Sequence, residues 1–444
     1  MNEFRKFPQI SALIDDERLK AEPLFLRTHF AKAVVAEFKA SDDKNLAVDK
    51  AFLVGKIQKR IDEFKSKDFQ PLINATGVVI HTNLGRSALD ESVFDECKSL
   101  ACGYFNLEFD LNTGKRGERY GVLLEKLKIL FNVDDALIVN NNAAAVFLVL
   151  NSLAKDKEVI TSRGELVEIG GNFRVPEVMK SAGARLVEVG TTNKTRLFDY
   201  ENAISEDTGL LLKTHKSNFA LKGFCGEVSV SDLSALSRSK NLPFYYDLGS
   251  GWCGELNKAL KQNEPSISEL VKHCDIVSFS ADKLFGSVQA GVILGRKDLI
   301  ARLKSNQLLR MLRVDKITLA LLNNTLRAYL QKDFAKIPTL ALLNESAQSV
   351  KEKALRVQKD IKLKCELKES KSLVGGGSMP DKTLPSFVLA FVGDAFALQE
   401  RFRKLGIVGR IENECFVLDF RSVLQGEIQR LVELINGEFK GKAR

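Results

Sequence analysis

From about residue 71 onward, short β-branched runs alternate with amphipathic stretches, and this alternation restricts the possible folds more than any other feature of the chain. Candidate strands are Ala136–Val139, Glu158–Thr161, Arg185–Val189, Gly209–Lys213, Phe244–Tyr246, Ile276–Phe279 and Gly291–Leu294. Helical patterns at Ala143–Ala154, Val175–Ala182 and Val230–Ser239 separate most of them. Such alternation predicts an α/β fold, a mostly parallel sheet covered by helices on both faces. The runs Ile276–Phe279 and Gly291–Leu294 lie too close in sequence for a helical crossover, so one of them is expected to run antiparallel.

The flanks read differently. Residues 1–70 read as a helical N-terminal segment, either a small domain or an arm, in which Leu24, Phe25, Phe30, Val34 and Phe38 recur at near-helical spacing. Residues 71–325 form the expected large domain. One or two long helices are expected from about Val314 to Lys364, leading into a smaller α+β domain over residues 326–444. That domain contains strands at Ser386–Phe391 and Cys415–Asp419 and a terminal helix at Gln425–Phe439. A glycine turn at Gly375, Gly376 and Gly377 marks its start.

A chain of 444 residues can bury two or three domain cores. The net charge of +9 permits a polyanionic partner such as RNA without requiring one. Seven cysteines are scattered with no C-x-x-C pair, which excludes a legible zinc knuckle or disulfide framework and points to free thiols in a reducing compartment. No metal site is read from the sequence. No apolar leader core is visible at Met1–Ile10, and no run approaches the roughly 18 apolar residues of a membrane span. A cytoplasmic location is expected.

The chemistry concentrates at predicted strand ends. Ser278-Phe279-Ser280-Ala281-Asp282-Lys283 ends an apolar strand in small and polar residues, then a lysine, then the turn at Gly286. A Schiff-base lysine needs such a position, partly desolvated and restrained. Ser280 offers a hydroxyl to a phosphate. Upstream, Phe244-Tyr245-Tyr246-Asp247 is a buried strand ending in an acid. A carboxylate there faces the crevice where ligands bind and can keep a pyridine nitrogen protonated; an Asp capping the following turn would leave the same trace. The lysine and the acid together point to pyridoxal 5'-phosphate. Asn142, Ala143 and Ala144 open a helix after a strand, which suits a phosphate or a plain asparagine cap. His215, in Thr214-His215-Lys216, is one of only four histidines and is a candidate contact for the cofactor ring. Arg86 follows a glycine turn, and Arg310 and Arg313 lie three apart on an expected helix, hence on one face suited to an oxyanion or simply to solvent.

Several runs together resemble bacterial selenocysteine synthase, the L-seryl-tRNA(Sec) selenium transferase family. They are Asn74-Ala75-Thr76-Gly77, Asn83-Leu84-Gly85-Arg86, Asn140-Asn141-Asn142-Ala143-Ala144-Ala145, Ser162-Arg163-Gly164-Glu165, Gly190-Thr191-Thr192-Asn193-Lys194-Thr195, Ser280-Ala281-Asp282-Lys283, Leu312-Arg313-Val314-Asp315-Lys316 and Gly375-Gly376-Gly377-Ser378. The resemblance spans nearly the whole chain. It implies the fold-type-I architecture of pyridoxal-phosphate enzymes, an N-terminal domain that grips tRNA, and a homo-oligomeric ring of dimers. It further implies Lys283 as the Schiff-base lysine, Asp282 as its functional neighbour, and Arg86, Arg310 and Arg313 as the site for selenophosphate. The implied substrate is seryl-tRNA(Sec). Two other readings are a pyridoxal-phosphate β-eliminating lyase acting on a free small amino acid or amino sugar acid, and a non-catalytic RNA-binding scaffold.

Overall fold

The computed structural model describes residues 7–40, 49–170, 173–262, 264–375 and 377–439. The chain divides into two compact units between Pro71 and Leu72. In the first, helices Ile10–Ile14, Leu24–Ala40 and Lys50–Lys65 enclose a small core of Leu13, Val34, Leu53, Val54, Ile57 and Ile61. Asp49 caps the third helix by accepting the Phe52 N–H at 2.7 Å. Leu24 and Phe25, read from the sequence as part of the apolar stripe, are instead 58% and 84% exposed. They occupy the first turn of their helix, and the buried stripe is Ala31, Val34 and Val35.

In the second unit the strands are, in chain order, β1 (Ile73–Asn74), β2 (Val78–Ile80), β3 (Asp135–Val139), β4 (Glu158–Ser162), β5 (Glu168–Ile169), β6 (Phe173–Arg174), β7 (Arg185–Val189), β8 (Thr208–Thr214), β9 (Phe244–Gly249), β10 (Ile276–Ser280), β11 (Gly291–Gly295), β12 (Cys365–Gly375), β13 (Ser378–Phe391), β14 (Ile407–Val408), β15 (Arg410–Glu412) and β16 (Cys415–Asp419). Seven form one sheet in the order β3-β11-β10-β9-β8-β4-β7. β11 is antiparallel to both of its neighbours, and the other pairings are parallel. The expected reversal in the Ile276–Leu294 pair is therefore present, with β11 as the reversed strand. Successive residues feed opposite faces: Ile138, Val277 and Val292 join one core, while Leu137, Ile276 and Ile293 join the other. Burial on both faces is why these strands read as continuous apolar runs. The carboxyl ends of the parallel strands bear Asp247 inside the end of β9, and Asn140, His215 and Lys283 just past the ends of β3, β8 and β10.

A second sheet has the order β15-β16-β13-β12-β2. β2 belongs to it, pairing in parallel with β12 through Val78↔Leu373 and Ile80↔Gly375, and β1 pairs with β14. Residues 73–80 thus join the C-terminal part of the fold rather than the seven-stranded sheet. The glycine turn is likewise not the start of that part: Gly375 ends β12 and Ser378 begins β13, inside the sheet. Gly376 lies outside the described residues.

The expected one or two long helices from Val314 to Lys364 are three shorter ones, Lys316–Gln331, Pro338–Asn344 and Ala347–Asp360. Lys332 ends the first in a left-handed conformation, Pro338 opens the second, and Ser346 caps the third. No described helix is long and apolar enough to cross a membrane.

Candidate active site

Past Ser280, the chain leaves β10 in a tight turn. The Ala281 N–H donates to Ala290 O at 2.9 Å, the Ser287 N–H to Ala281 O at 2.8 Å, and the Gly286 N–H to Lys283 O at 2.9 Å. Gly286 has φ +71°, and a Cβ there would lie 2.5 Å from Ile337, so this corner requires glycine. Lys283 emerges half-buried from a turn whose other members are buried. Burial first, and then the Arg86 guanidinium, lower the pKa of its ammonium below the ordinary lysine value, against the pull of Asp247 and Asp282. On the facing loop, a Cβ at Gly377 would stand 3.7 Å from Lys283 Nζ, so the β12–β13 turn comes close to the amine.

Asp247 lies on β9, beside β10, with Ser278 as its partner in the pairing register. Its Oδ1 accepts the Asn142 Nδ2–H at 2.8 Å. Burial pushes this carboxyl up, while Asn142, Lys283 and His215 hold it down. A cationic group set against it would restore the charge that burial disfavours. The Asn142 bond also puts the start of the Asn142–Leu153 helix beside the acid. Asn141 caps that helix by accepting the Ala144 N–H at 2.8 Å. Ala144 is therefore already occupied as a donor, and the first-turn amides of Asn142 and Ala143 remain for an anion.

Arg86 enters from the turn after β2. Gly85 and Arg86 both have positive φ, +90° and +65°, and the Leu84 and Arg86 N–H groups both donate to His81 O at 3.0 Å. The left-handed pair aims Arg86 Nη1 at Asp282 Oδ2, 2.6 Å away, and Ser87 Oγ donates to Lys283 O at 2.6 Å. Asp282 Oδ1 is buried and has no partner among the described residues. Asp282 is one of the residues lining a cavity of about 560 Å³, together with Ser87, Asn140, Ser287, Arg313 and Thr318.

The remaining expected residues divide. Ser280 is buried at the end of β10. His215 Nε2 lies 3.1 Å from Glu264 Oε2, and its backbone N–H donates to Asp247 O at 2.9 Å. Arg310 and Arg313 do not share a helix face. Arg310 ends a 3-10 turn, Gln307–Arg310, and is exposed, whereas Arg313 lies in the connector before the next helix. That helix starts only at Lys316 because Asp315 caps it, accepting the Ile317 and Thr318 N–H groups, and Leu312 O is held by the Asn140 N–H. Arg313 lines the cavity and contacts Glu108 at 3.3 Å; Arg310 does not line it. Glu264 and Ser250 escaped sequence reasoning. Ser250 had a signal in its flanking glycines, whereas Glu264 sits in a polar stretch with none.

A lysine just beyond an interior strand, an acid on the next strand and open helix amides beside that acid place the chain among the pyridoxal-phosphate enzymes of fold type I. Pyridoxal 5'-phosphate is the cofactor, and the residues present would suit it: the Lys283 amine could meet its aldehyde, the Asp247 carboxylate its ring nitrogen, and the Asn142 and Ala143 amides its phosphate. The fold is similar to a solved structure of D-glucosaminate-6-phosphate ammonia-lyase, with TM-score 0.61 and 20% identity, covering 85% of this chain and 97% of that one. Residues 72–424 match the family described as SelA: L-seryl-tRNA selenium transferase. The L-seryl-tRNA(Sec) selenium transferase of Campylobacter lari is 60% identical over 441 residues, 99% of this chain and 100% of that protein. That of Nautilia profundicola is 50% identical over 440 residues, 98% of each. The chain belongs to the L-seryl-tRNA selenium transferase family.

Proposed function

We propose that this chain converts seryl-tRNA(Sec) to selenocysteinyl-tRNA(Sec) in the cytoplasm, through dehydroalanyl-tRNA, with selenophosphate as the selenium donor. The observation that carries the reading is the Arg86–Asp282–Lys283 constellation beside Asp247, in a chain of this family. Bound there, pyridoxal phosphate supplies an electron sink for the charge left on the serine α-carbon. Lys283, whose ammonium burial disfavours, takes the α-proton as general base. Asp247, oriented by Asn142, holds the proton on the ring nitrogen. Arg86 fixes one oxygen of Asp282 and leaves Oδ1 to accept the hydrogen bond of the serine hydroxyl, to which Lys283 returns the α-proton so that it departs as water. Arg313, which lines the cavity, and Arg86, bonded to Asp282, supply the cationic surface a phosphate-bearing donor needs, with Arg310 exposed in the preceding turn.

The N-terminal helical unit is proposed to grip the tRNA. In support, the helix Lys50–Lys65 exposes Lys56, Lys59, Arg60 and Lys65, side chains suited to backbone phosphates. Assembly into a ring of dimers is also part of the proposal. It is supported by large apolar side chains left in solvent, among them Tyr104, Leu111, Val122 and Ile129.

The test is selenium incorporation by purified protein given seryl-tRNA(Sec) and selenophosphate, with each omitted in turn. Selenocysteinyl-tRNA should form only in the complete mixture. Turnover of free serine at a comparable rate, with no transfer to tRNA, would replace this reading by that of a small-molecule lyase.

A further inference from the structure

Glu264 has no part in the chemistry described above, yet it is buried, with 7% of its surface exposed. It follows the short helix Lys258–Lys261 and reaches two strand ends. Its Oε1 accepts the Ser250 hydroxyl at 2.6 Å, and its Oε2 lies 3.1 Å from His215 Nε2. With the carboxylate accepting on both oxygens, His215 presents its Nε2–H to it.

Both partners are themselves tied to the site. Ser250 is fully buried between Gly249 and Gly251, whose φ values are +69° and +77°. A Cβ at Gly251 would lie 2.7 Å from the Phe279 ring, so the Gly249–Gly251 turn has no room to relax. The Ser250 carbonyl accepts the Leu284 N–H at 3.0 Å, one residue past Lys283. On the other side, the His215 backbone N–H donates to the Asp247 carbonyl at 2.9 Å. One carboxylate is thus bonded directly to the loops after β8 and β9 and, through Ser250, to the loop after β10. Apolar packing cannot replace it, because the polar groups it satisfies would be left buried and unpaired.

We infer that Glu264 is a positioning residue for the cofactor site, holding the Asp247 and Lys283 loops in the relation the cofactor ring requires. The inference rests on the pyridoxal-phosphate site and not on the identity of the substrate.

The test uses the full-length protein stripped of cofactor and titrated with pyridoxal phosphate, reading the dissociation constant and the absorption maximum of the bound cofactor. Glu264→Leu should weaken binding by about tenfold or more and move the absorption maximum. Glu264→Gln keeps an oxygen acceptor for Ser250 and should recover most of the affinity. Ser250→Ala should lose several-fold. A Glu264→Leu protein that melts earlier but binds with wild-type affinity and spectrum would reduce the residue to a structural one and overturn the inference. If Glu264→Leu does not fold, the other two variants decide: wild-type affinity and spectrum in both overturns it. A wild-type protein that binds the cofactor but transfers no selenium would defeat the proposed reaction and leave these binding results to decide the inference by themselves.

Discussion

Two buried aspartates of the second unit, each paired with an arginine, one on a strand of the second sheet and one just beyond a strand of the seven-stranded sheet, are built in opposite ways. Asp419, on β16, has every acceptor in use. Its Oδ1 takes hydrogen bonds from Ser386 Oγ at 2.6 Å, Ser372 Oγ at 3.0 Å and the Arg421 N–H at 3.0 Å, and its Oδ2 takes Arg410 at 2.8 Å and Ser372 Oγ at 2.8 Å. Asp282, beyond β10, has Arg86 on one oxygen and no described partner on the other. Folding alone accounts for the first, because a buried charge is tolerable when fully bonded. The second keeps one acceptor without a described protein partner, in a residue that precedes Lys283 and lines the cavity. A buried acceptor without a protein partner beside a titratable amine suits a ligand group that can donate to it.

Substitutions can sharpen or break that contrast. Lys283→Ala should remove selenium transfer by about 10⁴-fold and abolish the absorbance of bound cofactor, with circular dichroism unchanged; residual turnover near wild type would end the mechanism. Asp419→Ala should cost about 2–4 kcal/mol in urea denaturation, since it leaves the buried Ser372 and Ser386 hydroxyls without their acceptor while Arg410 keeps Glu412, and the fraction still folded keeps its turnover. Asp282→Asn should do the converse, lowering turnover by about 10²-fold and changing stability by about 1 kcal/mol or less, because Arg86 is partly exposed. If the two aspartates exchange these behaviours, the contrast is wrong. Arg313→Ala should raise KM for selenophosphate by about tenfold, and Arg310→Ala, outside the cavity, by much less.

The smallest effect concerns pH. The Lys283 pKa in the folded protein lies below the unfolded value, so over the interval between them the unfolded chain binds more protons and stability rises with pH. The cofactor-free Lys283→Met protein lacks that rise. It should therefore be more stable than wild type at the low end of the interval, with the gap closing as pH climbs to the ordinary lysine value. Thermal melts of the two across pH check it; a gap that widens toward alkaline pH would mean that burial does not disfavour the ammonium.

The strands of the seven-stranded sheet were legible because burial on both faces leaves unbroken apolar runs, and Asp247 and Lys283 stood out as polar residues ending such runs. β12 was not, because Glu366, Lys368, Glu369 and Lys371 are exposed along it, so the run carries few apolar residues before Val374. The Arg310–Arg313 spacing suggested a helix face, but spacing carries no information about where a cap falls, and Asp315 delays the helix to Lys316. Asn142 was legible as a helix start. Its side-chain bond to Asp247 joins residues 105 positions apart, and no local pattern encodes that. Glu264 was invisible for the same reason: its neighbours in sequence are not its neighbours in space.

The pairing of β2 with β12 also bears on how the molecule is made. The hook that carries Arg86 to Asp282 springs from a strand whose partner lies almost three hundred residues later, at Leu373 and Gly375. On a ribosome, Lys283 emerges long before that partner exists, so the nascent chain carries its reactive amine without its clasp. Such distant pairing is slow to form, and competence to bind the vitamin should come late, only after the C-terminal strands have left the exit tunnel.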